Sequence, residues 1–131
     1  MPGINSPIRR YMTGSPVHVE KGTPLLVAVR TMKHYSIRHL PVLDQGVLVG
    51  VITNRDIVSA LADETTNLRT VSVEQIMNRT PYSVTPETPL KDVAAMMAKH
   101  SYGSAVILEK GRVVGIFTVV DALRALHEIL S

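Results

Sequence analysis

The sequence predicts a mixed α+β protein in which one β-α-β-β-α unit occurs twice. Two observations carry this prediction: the chain matches itself at an offset of 65 residues, and each copy shows strand and helix signals in the same order. With 131 residues, 45% of them hydrophobic, the chain can bury one sizeable core but not several large domains. We therefore expect the copies to pack sheet on sheet, with a pseudo-two-fold axis and two equivalent clefts.

The repeat aligns residues 12–56 with residues 77–121 without a gap. Fourteen of these 45 positions are identical, whereas average residue usage gives roughly one match in sixteen by chance. The predicted organisation is a first domain over 8–62, a linker over 63–72 and a second domain over 73–130. The spacing of Ser72 and Gln75 is that of a capping box and predicts a short helix at the end of the linker.

The first helix of each copy is predicted from its start signal and its apolar spacing. Thr23 and Thr88 are expected N-caps, and each is followed by proline at the first helical position. Apolar residues then recur at i, i+3, i+4 and i+7, which is typical of one helical face. Leu25 and Leu90 begin these two patterns.

Strands precede and follow this helix in each copy. A three-residue connection ending in Gly46 or Gly111 predicts a hairpin between the last two strands, because glycine tolerates positive φ. A second helix then closes each copy. The predicted strands are 17–19, 39–43 and 47–53 in the first copy, and 82–84, 104–108 and 112–118 in the second.

Composition and motifs exclude several classes of protein. The absence of cysteine excludes disulfides, thiolate nucleophiles and cysteine-based zinc sites. No apolar run approaches the ~18 residues that span a membrane, so we expect a cytoplasmic protein. The five histidines lack metal-site spacing, and no nucleophile elbow, dinucleotide fingerprint or Walker sequence occurs. We predict neither a metal site nor an enzyme.

A Thr-x-x-Asp sequence directly follows the last strand of each copy, as Thr53 to Asp56 and as Thr118 to Asp121. A hydroxyl and free N–H groups at a helix N-terminus suit a phosphate, and a carboxylate can accept both hydrogens of a ribose cis-diol. The same spacing is also an ordinary capping pattern. From the spacing alone, both interpretations stay open.

Three motifs in order together resemble the cystathionine β-synthase (CBS) domain. The second copy repeats the first and last of them at the fixed offset, and the resemblance covers the chain from about Ile8 to Leu130. In the first copy the motifs are Met12-Thr13-x-x-Pro16-x-x-Val19, Arg38-His39-Leu40-Pro41-Val42-Leu43-Asp44 and Gly50-x-x-Thr53-x-x-Asp56.

The resemblance implies a Bateman module, a tandem CBS pair that binds AMP, ADP, ATP or S-adenosylmethionine in the clefts between the copies. By that pattern Asp56 and Asp121 hold ribose hydroxyls, and Thr53 and Thr118 touch phosphate or ribose. It also implies Arg38 and His39 near the phosphates, and Asn78, Thr80, Tyr82, Tyr102 and Gly103 around the base at the first site. We add Asn54 and Arg55, which lie between Thr53 and Asp56, to the predicted ligand-binding residues.

The two sites are not equal in sequence. Where the first copy has Arg38 and His39, the second has Gly103 and Ser104, and valines replace both Asn54 and Arg55. Fewer cationic donors weaken charge-assisted bonds to phosphate. We expect the Asp56 cleft to prefer phosphorylated adenosines, and the Asp121 cleft to be weaker, suited to a less charged adenosine compound, or empty.

The predicted function is that of a regulatory module which senses adenine nucleotides. As the resemblance implies, we expect a homodimer whose output passes to a separate effector protein. The alternative is a structural dimerisation module with vestigial clefts. Nucleic-acid binding ranks below both, because the net charge of +3 is dispersed and no basic stripe with interleaved aromatic residues is visible.

Overall fold

The computed structural model describes residues 3–131 and confirms a mixed α+β fold with four α-helices and two small sheets in that range. In chain order the elements are β1 (Thr13–Gly14), β2 (Val19–Glu20), α1 (Leu25–Tyr35), β3 (His39–Asp44), β4 (Val47–Thr53), α2 (Asn54–Leu61), β5 (Ser83–Val84), α3 (Leu90–His100), β6 (Ser104–Glu109), β7 (Arg112–Thr118) and α4 (Val119–Leu130). Two 3-10 helices, Ile8–Arg10 and Val73–Gln75, precede β1 and β5 respectively.

These elements form two compact units. The first, here called the Asp56 unit, is Val17–Pro81; the second, the Asp121 unit, combines residues 3–16 with Tyr82–Ser131. The segment that begins each repeat therefore packs with the body of the other repeat. The Asp56 unit is thus one continuous stretch, whereas the Asp121 unit joins two stretches that lie far apart in the sequence.

Each unit carries one sheet of the same design. In the Asp56 unit the strand order is β2-β3-β4, with β2 parallel to β3 and β3 antiparallel to β4. Asn78 forms a further antiparallel bridge with Val51 of β4. In the Asp121 unit the order is β1-β7-β6-β5, and β1 takes the place that Asn78 has in the first unit. The repeat thus produces two equivalent sheets.

The first helix of each unit begins differently from the prediction. Thr23 was expected to be the N-cap of α1, but the N-cap is Pro24 and no side chain caps the helix. Backbone carbonyls do this instead, since the N–H of Leu25 donates to Val71 at 2.9 Å and that of Leu26 to Leu68 at 2.9 Å. These carbonyls satisfy donors that a helix leaves free at its start.

Helix α3 repeats this arrangement, so the prediction of Thr88 as its N-cap was also wrong. Pro89 is the N-cap, and the N–H groups of Leu90 and Lys91 donate to the carbonyls of Ser6 and Ile4, both at 2.9 Å. The segment that leads into one repeat therefore fixes the helix start of the other. The two threonines lie in turns before the helices instead, where the N–H of Thr23 donates to the Glu20 carbonyl and that of Thr88 to the Thr85 carbonyl.

The hairpin turns are one residue shorter than predicted. Asp44 pairs with Val47, which leaves Gln45 and Gly46 as a two-residue loop with φ of 50° and 85°. Two positive φ angles describe a type I′ turn, whose twist matches that of the flanking strands. The second hairpin has the same form at Lys110 and Gly111. The expected positive φ at both glycines is confirmed.

Each unit has its own apolar core, while part of the second helix stays exposed. Ile57 of α2 and Ala125 of α4 are buried. The apolar side chains of α4 at Leu123, Leu126 and Leu130 are 60%, 52% and 75% exposed. Across residues 3–131, no helix combines the length and apolar character needed to cross a bilayer. The apolar face of α4 is therefore unpartnered within its own unit.

Candidate functional site

Each Thr-x-x-Asp sequence lies where the last strand of a unit passes directly into the following helix. Thr53 ends β4 in an extended conformation and is the N-cap of α2. Its N–H donates to Asp56 Oδ2 at 2.9 Å, and Asp56 N–H donates to Thr53 Oγ1 at 3.1 Å. The capping interpretation is thus confirmed at Thr53, but this box uses only one oxygen of the carboxylate.

The second oxygen of Asp56 lies outside the capping box. Within the part of the chain that the structure describes, Oδ1 of this half-buried residue accepts no hydrogen bond. A carboxylate offers about four lone-pair positions across its two oxygens. Asp56 can therefore cap α2 and still accept hydrogen bonds from a ligand.

The residues around Asp56 are basic and accessible. His39 pairs with Thr53 across β3 and β4, and the Arg38 carbonyl accepts a hydrogen bond from Asn54 N–H at 3.0 Å. The side chains of Arg38 and Arg55 are exposed and form no ion pair among the described residues. Asn54 is also exposed, on the first turn of α2. Six predicted site residues thus lie around one helix start.

His39 has a pKa below its usual value. Burial lowers the pKa of His39 below its usual 6.5, the Asp56 carboxylate partly opposes this, and the Arg38 guanidinium lowers the pKa further. A buried imidazole resists taking a proton because its charged form loses hydration. His39 is therefore predominantly neutral at pH 7, with Asp56 close enough to interact with any charge that it gains.

The loop after the linker completes this side of the Asp56 unit. Asn78 exchanges backbone hydrogen bonds with Val51 at 3.0 and 2.9 Å, and its Oδ1 accepts from the N–H of Thr80 at 3.0 Å and the hydroxyl of Thr80 at 3.3 Å. This contact needs glycine opposite, since a Cβ on Gly50 would lie 2.7 Å from the Asn78 carbonyl oxygen. The Asn78 side chain therefore serves its own loop and leaves Asp56 free.

Asp121 has the same place in the other unit but a different set of contacts. Its Oδ2 accepts from Thr118 N–H at 2.9 Å and from the Thr118 hydroxyl at 3.2 Å. Its Oδ1 accepts from Thr13 Oγ1 at 2.9 Å and lies 3.5 Å from Arg124 Nη1. Only 5% of Asp121 is exposed. The carboxylate is buried and its acceptor positions are filled.

Sequence reasoning missed Thr13 and Arg124 as partners of Asp121. The aligned residues in the Asp56 unit are Asn78 and Ser59, and neither donates to Asp56 in the described chain. Thr13 already stands in the Met12-Thr13 motif, and its replacement by Asn at the aligned position was the available signal. Its partner lies 108 residues away, which no local pattern indicates.

The aromatic residues predicted to enclose a base lie in the Asp121 unit. The rings of Tyr82 and Tyr102 stack with centroids 5.1 Å apart, and His100 stacks on Tyr102 at the same distance. Burial is the main cause that raises the pKa of Tyr82 above 10. Gly103 is exposed at the start of β6. The three rings form a partly exposed surface of the kind on which a purine stacks.

The structure thus distributes the predicted site residues over both units. No group of three or more potential metal-ligating side chains occurs within residues 3–131. The Asp56 unit holds Arg38, His39, Thr53, Asn54, Arg55, Asp56 and Thr80, and the Asp121 unit holds Tyr82, Tyr102, Gly103, Thr118 and Asp121.

Comparison with known proteins gives a family match over most of the chain. The model of the CBS domain matches residues 8–63 and 73–128. A CBS domain-containing protein of Dictyostelium discoideum is 31% identical over 135 residues, which cover 95% of this chain and 93% of the relative. L-aspartate semialdehyde sulfurtransferase of Methanocaldococcus jannaschii is 33% identical over 119 residues, but these cover 89% of this chain and 22% of the enzyme. The chain therefore spans less than a quarter of that relative.

Solved structures give the same result. The CBS domain pair of protein MJ0100, solved in complex with 5′-methylthioadenosine and S-adenosyl-L-methionine, superposes with a TM-score of 0.84 at 28% identity. The match covers 94% of this chain and 97% of that structure. The chain also spans less than half the length of an uncharacterized M. jannaschii protein to which it is 27% identical.

Proposed function

The chain belongs to the CBS domain family, with two CBS domains in tandem, and we propose that it is a regulatory module that binds an adenine nucleotide. The observation that carries this proposal is the Asp56 carboxylate, which caps α2 through one oxygen, while the other oxygen has no donor among residues 3–131. Arg38 lies directly before β3 and Arg55 directly before Asp56 on α2, and neither has an acidic partner in the described chain.

The ribose is the part of the ligand that Asp56 recognises in this proposal. The two hydroxyls of a cis-diol can both donate to one carboxylate, and Asp56 has the acceptor positions that this needs. The Thr53 hydroxyl already accepts from Asp56 N–H and can still donate its own hydrogen. The pair therefore suits a group that both donates and accepts hydrogen bonds.

The phosphates are assigned to the basic residues. Arg38 and Arg55 supply planar donors that bind phosphate oxygens through charge-assisted hydrogen bonds. The start of α2 adds the positive end of a helix dipole. Because an excess of positive charge favours an anionic ligand, the proposal places AMP, ADP or ATP ahead of S-adenosylmethionine at Asp56.

The relatives support adenosine as the common part of the ligand. The MJ0100 domain pair was solved with two compounds that contain adenosine but no phosphate. The same proposal retains Tyr82, Tyr102 and Gly103 as residues that enclose a base. It places the protein in the cytoplasm, where adenine nucleotides are abundant, and gives it no catalytic role, since the sulfurtransferase match covers only 22% of that enzyme.

A homodimer is part of the proposal, and a purely structural role is the second candidate. The exposed leucines of α4 give an apolar face that a second copy would cover. A structural dimerisation module would keep this face and lose ligand binding. The output of the sensing module would pass to a separate effector protein through a conformational change that the ligand favours.

A thermal-shift panel tests the proposed function. ADP at about 100 times its Kd adds about 2.7 kcal/mol to the free energy of unfolding, which raises the Tm by about 8 °C in a chain of this size. We expect AMP, ADP or ATP to raise the Tm of the wild type and to have little effect on the Asp56→Ala variant. If no adenosine compound shifts the Tm at millimolar concentration, the sensing function is wrong and the structural module remains.

A further inference from the structure

The two carboxylates of the Thr-x-x-Asp sequences differ in what already occupies them. Asp121 receives two hydrogen bonds from Thr118, one from Thr13 and a longer contact from Arg124. These four contacts account for the roughly four lone-pair positions of a carboxylate. A ribose therefore finds no vacant acceptor at Asp121.

Three of these four donors belong to α4 or to its N-cap. Thr118 is the cap itself, and Arg124 lies one turn after Asp121 on the same helix. The bond from Thr118 N–H also has a counterpart at Thr53, where it leaves the carboxylate accessible. The donors on the helix are thus compatible with an ordinary capping role.

Thr13 is the donor that comes from elsewhere in the unit. It lies on β1, where it pairs with Ile116 of β7, and it is exposed while its partner Asp121 is buried. The aligned position in the Asp56 unit holds Asn78, which pairs with Val51 in the equivalent way but gives its side chain to Thr80. The same backbone position thus carries a hydroxyl that reaches the carboxylate in one unit and an amide that does not in the other.

We propose that the Thr13 hydroxyl closes the Asp121 site to ribose, so that the residue at this position decides which of the two sites binds an adenosine ligand. This proposal rests on the proposed function and names a residue that determines its specificity. A hydrogen bond between a hydroxyl and a carboxylate is worth about 1.5 kcal/mol or more, so removing it strengthens ligand binding by about tenfold.

The test uses chains in which only the Asp121 site is left. Asp56→Ala and Asp56→Ala/Thr13→Val are compared by calorimetric titration with adenosine, which needs no phosphate contacts. We expect the second to bind adenosine at one site per chain and about tenfold more tightly than the first, because valine keeps the shape and strand preference of threonine but has no hydroxyl. Asp56→Ala/Thr13→Ser keeps a hydroxyl and is expected to stay closed.

The reciprocal change tests the same point in the Asp56 unit. Asn78→Thr places a hydroxyl opposite Asp56 and is expected to weaken ADP binding by about tenfold. Asn78→Val removes the amide without adding a hydroxyl and is the matched control, with an expected loss of less than half that factor. Circular dichroism checks that every variant is folded.

The outcomes separate this proposal from the proposed function. Equal adenosine binding by Asp56→Ala and Asp56→Ala/Thr13→Val, whether strong or absent, overturns the role of Thr13. ADP binding by the wild type, and its loss in Asp56→Ala, is the separate test of the nucleotide site. A wild type that binds no ADP refutes that site, and a gain of adenosine binding with Thr13→Val would still support closure by Thr13.

Discussion

The Asp56 unit and the Asp121 unit both have a strand that leads through a threonine N-cap into a helix, and an aspartate at the same position of that helix. The two aspartates nevertheless make different contacts. Asp56 holds its helix start through one oxygen, whereas the buried carboxylate of Asp121 connects β1, the N-cap and α4. The difference arises at two aligned positions, where Thr13 and Arg124 stand in place of Asn78 and Ser59. A shared motif therefore fixes the local backbone but not the availability of its functional group.

The largest expected effect is the loss of stability when the buried carboxylate is removed. Asp121→Ala leaves the Thr118 N–H and two hydroxyls without their acceptor, and we expect the free energy of unfolding to fall by about 3 kcal/mol. Asp56→Ala removes one half-exposed capping contact and should cost about 1 kcal/mol. Urea denaturation of both variants measures the difference, and equal losses would contradict it.

A smaller effect is expected at Gly50 and Gly115. These glycines face the segments that lead into the repeats, here called the lead-in segments, at Asn78 and at Met12 respectively. A Cβ on Gly50 would lie 2.7 Å from the Asn78 carbonyl oxygen, whereas the three atoms nearest to a Cβ on Gly115 all belong to the flexible side chain of Met12. Because backbone yields less than a methionine side chain, Gly50→Ala should cost about 2 kcal/mol and Gly115→Ala about 1 kcal/mol.

Gly22→Ala is the matched control for these two variants. It is exposed and a Cβ there meets nothing within 4 Å, so its denaturation midpoint should stay close to that of the wild type. A midpoint for Gly115→Ala below that of Gly50→Ala would show that the two lead-in segments are not held as described.

The next prediction concerns the affinity for charged and uncharged adenosine ligands at the Asp56 site. Arg38→Gly/His39→Ser gives the Asp56 unit the residues that the Asp121 unit has at these positions. Losing a charge-assisted contact to phosphate should weaken ADP binding by about tenfold, with adenosine little affected. Titration with both ligands checks this, and an equal loss for ADP and adenosine would mean that these residues do not contact phosphate.

The smallest effect is a dependence of stability on pH through His39. Burial lowers the pKa of His39 in the folded state below its usual 6.5, so the unfolded chain takes up this proton first. The contribution of neutral His39 to the free energy of unfolding is therefore fully present above pH 6.5. It is lost as the pH falls through the lowered pKa. The urea midpoint should fall less between pH 7 and pH 5 in His39→Ser than in the wild type; an equal or larger fall contradicts the assignment.

Local sequence signals predicted the elements well but not which segments pack together. The four α-helices, the strands β3 to β7 and the positive φ at Gly46 and Gly111 follow from alternation, spacing and turn chemistry. Strand β1 was not predicted, and β2 shares only Val19 with the predicted strand 17–19. The two copies have methionine at positions 12 and 77 and glycine at positions 50 and 115. Because the residue types are identical, the local sequence does not show which methionine faces which glycine. The capping of α1 by the Val71 and Leu68 carbonyls was missed because these residues lie more than 40 positions along the chain from the helix start.

In the candidate site, too, the local patterns were predictable from the sequence and the tertiary contacts were not. The capping pattern at Thr53 and the charge difference between the copies are visible in the sequence. The closure of Asp121 is not, because Thr13 and Asp121 are brought together only by the pairing of β1 with β7. Availability of a carboxylate is a property of its tertiary contacts.

The stoichiometry of ADP binding tests the difference between the two units most directly. Calorimetric titration of the wild type should give one ADP per chain, with binding lost in Asp56→Ala and retained in Asp121→Asn, which keeps the shape of the side chain. Two equivalent ADP sites per chain, or equal losses in the two variants, would contradict the account.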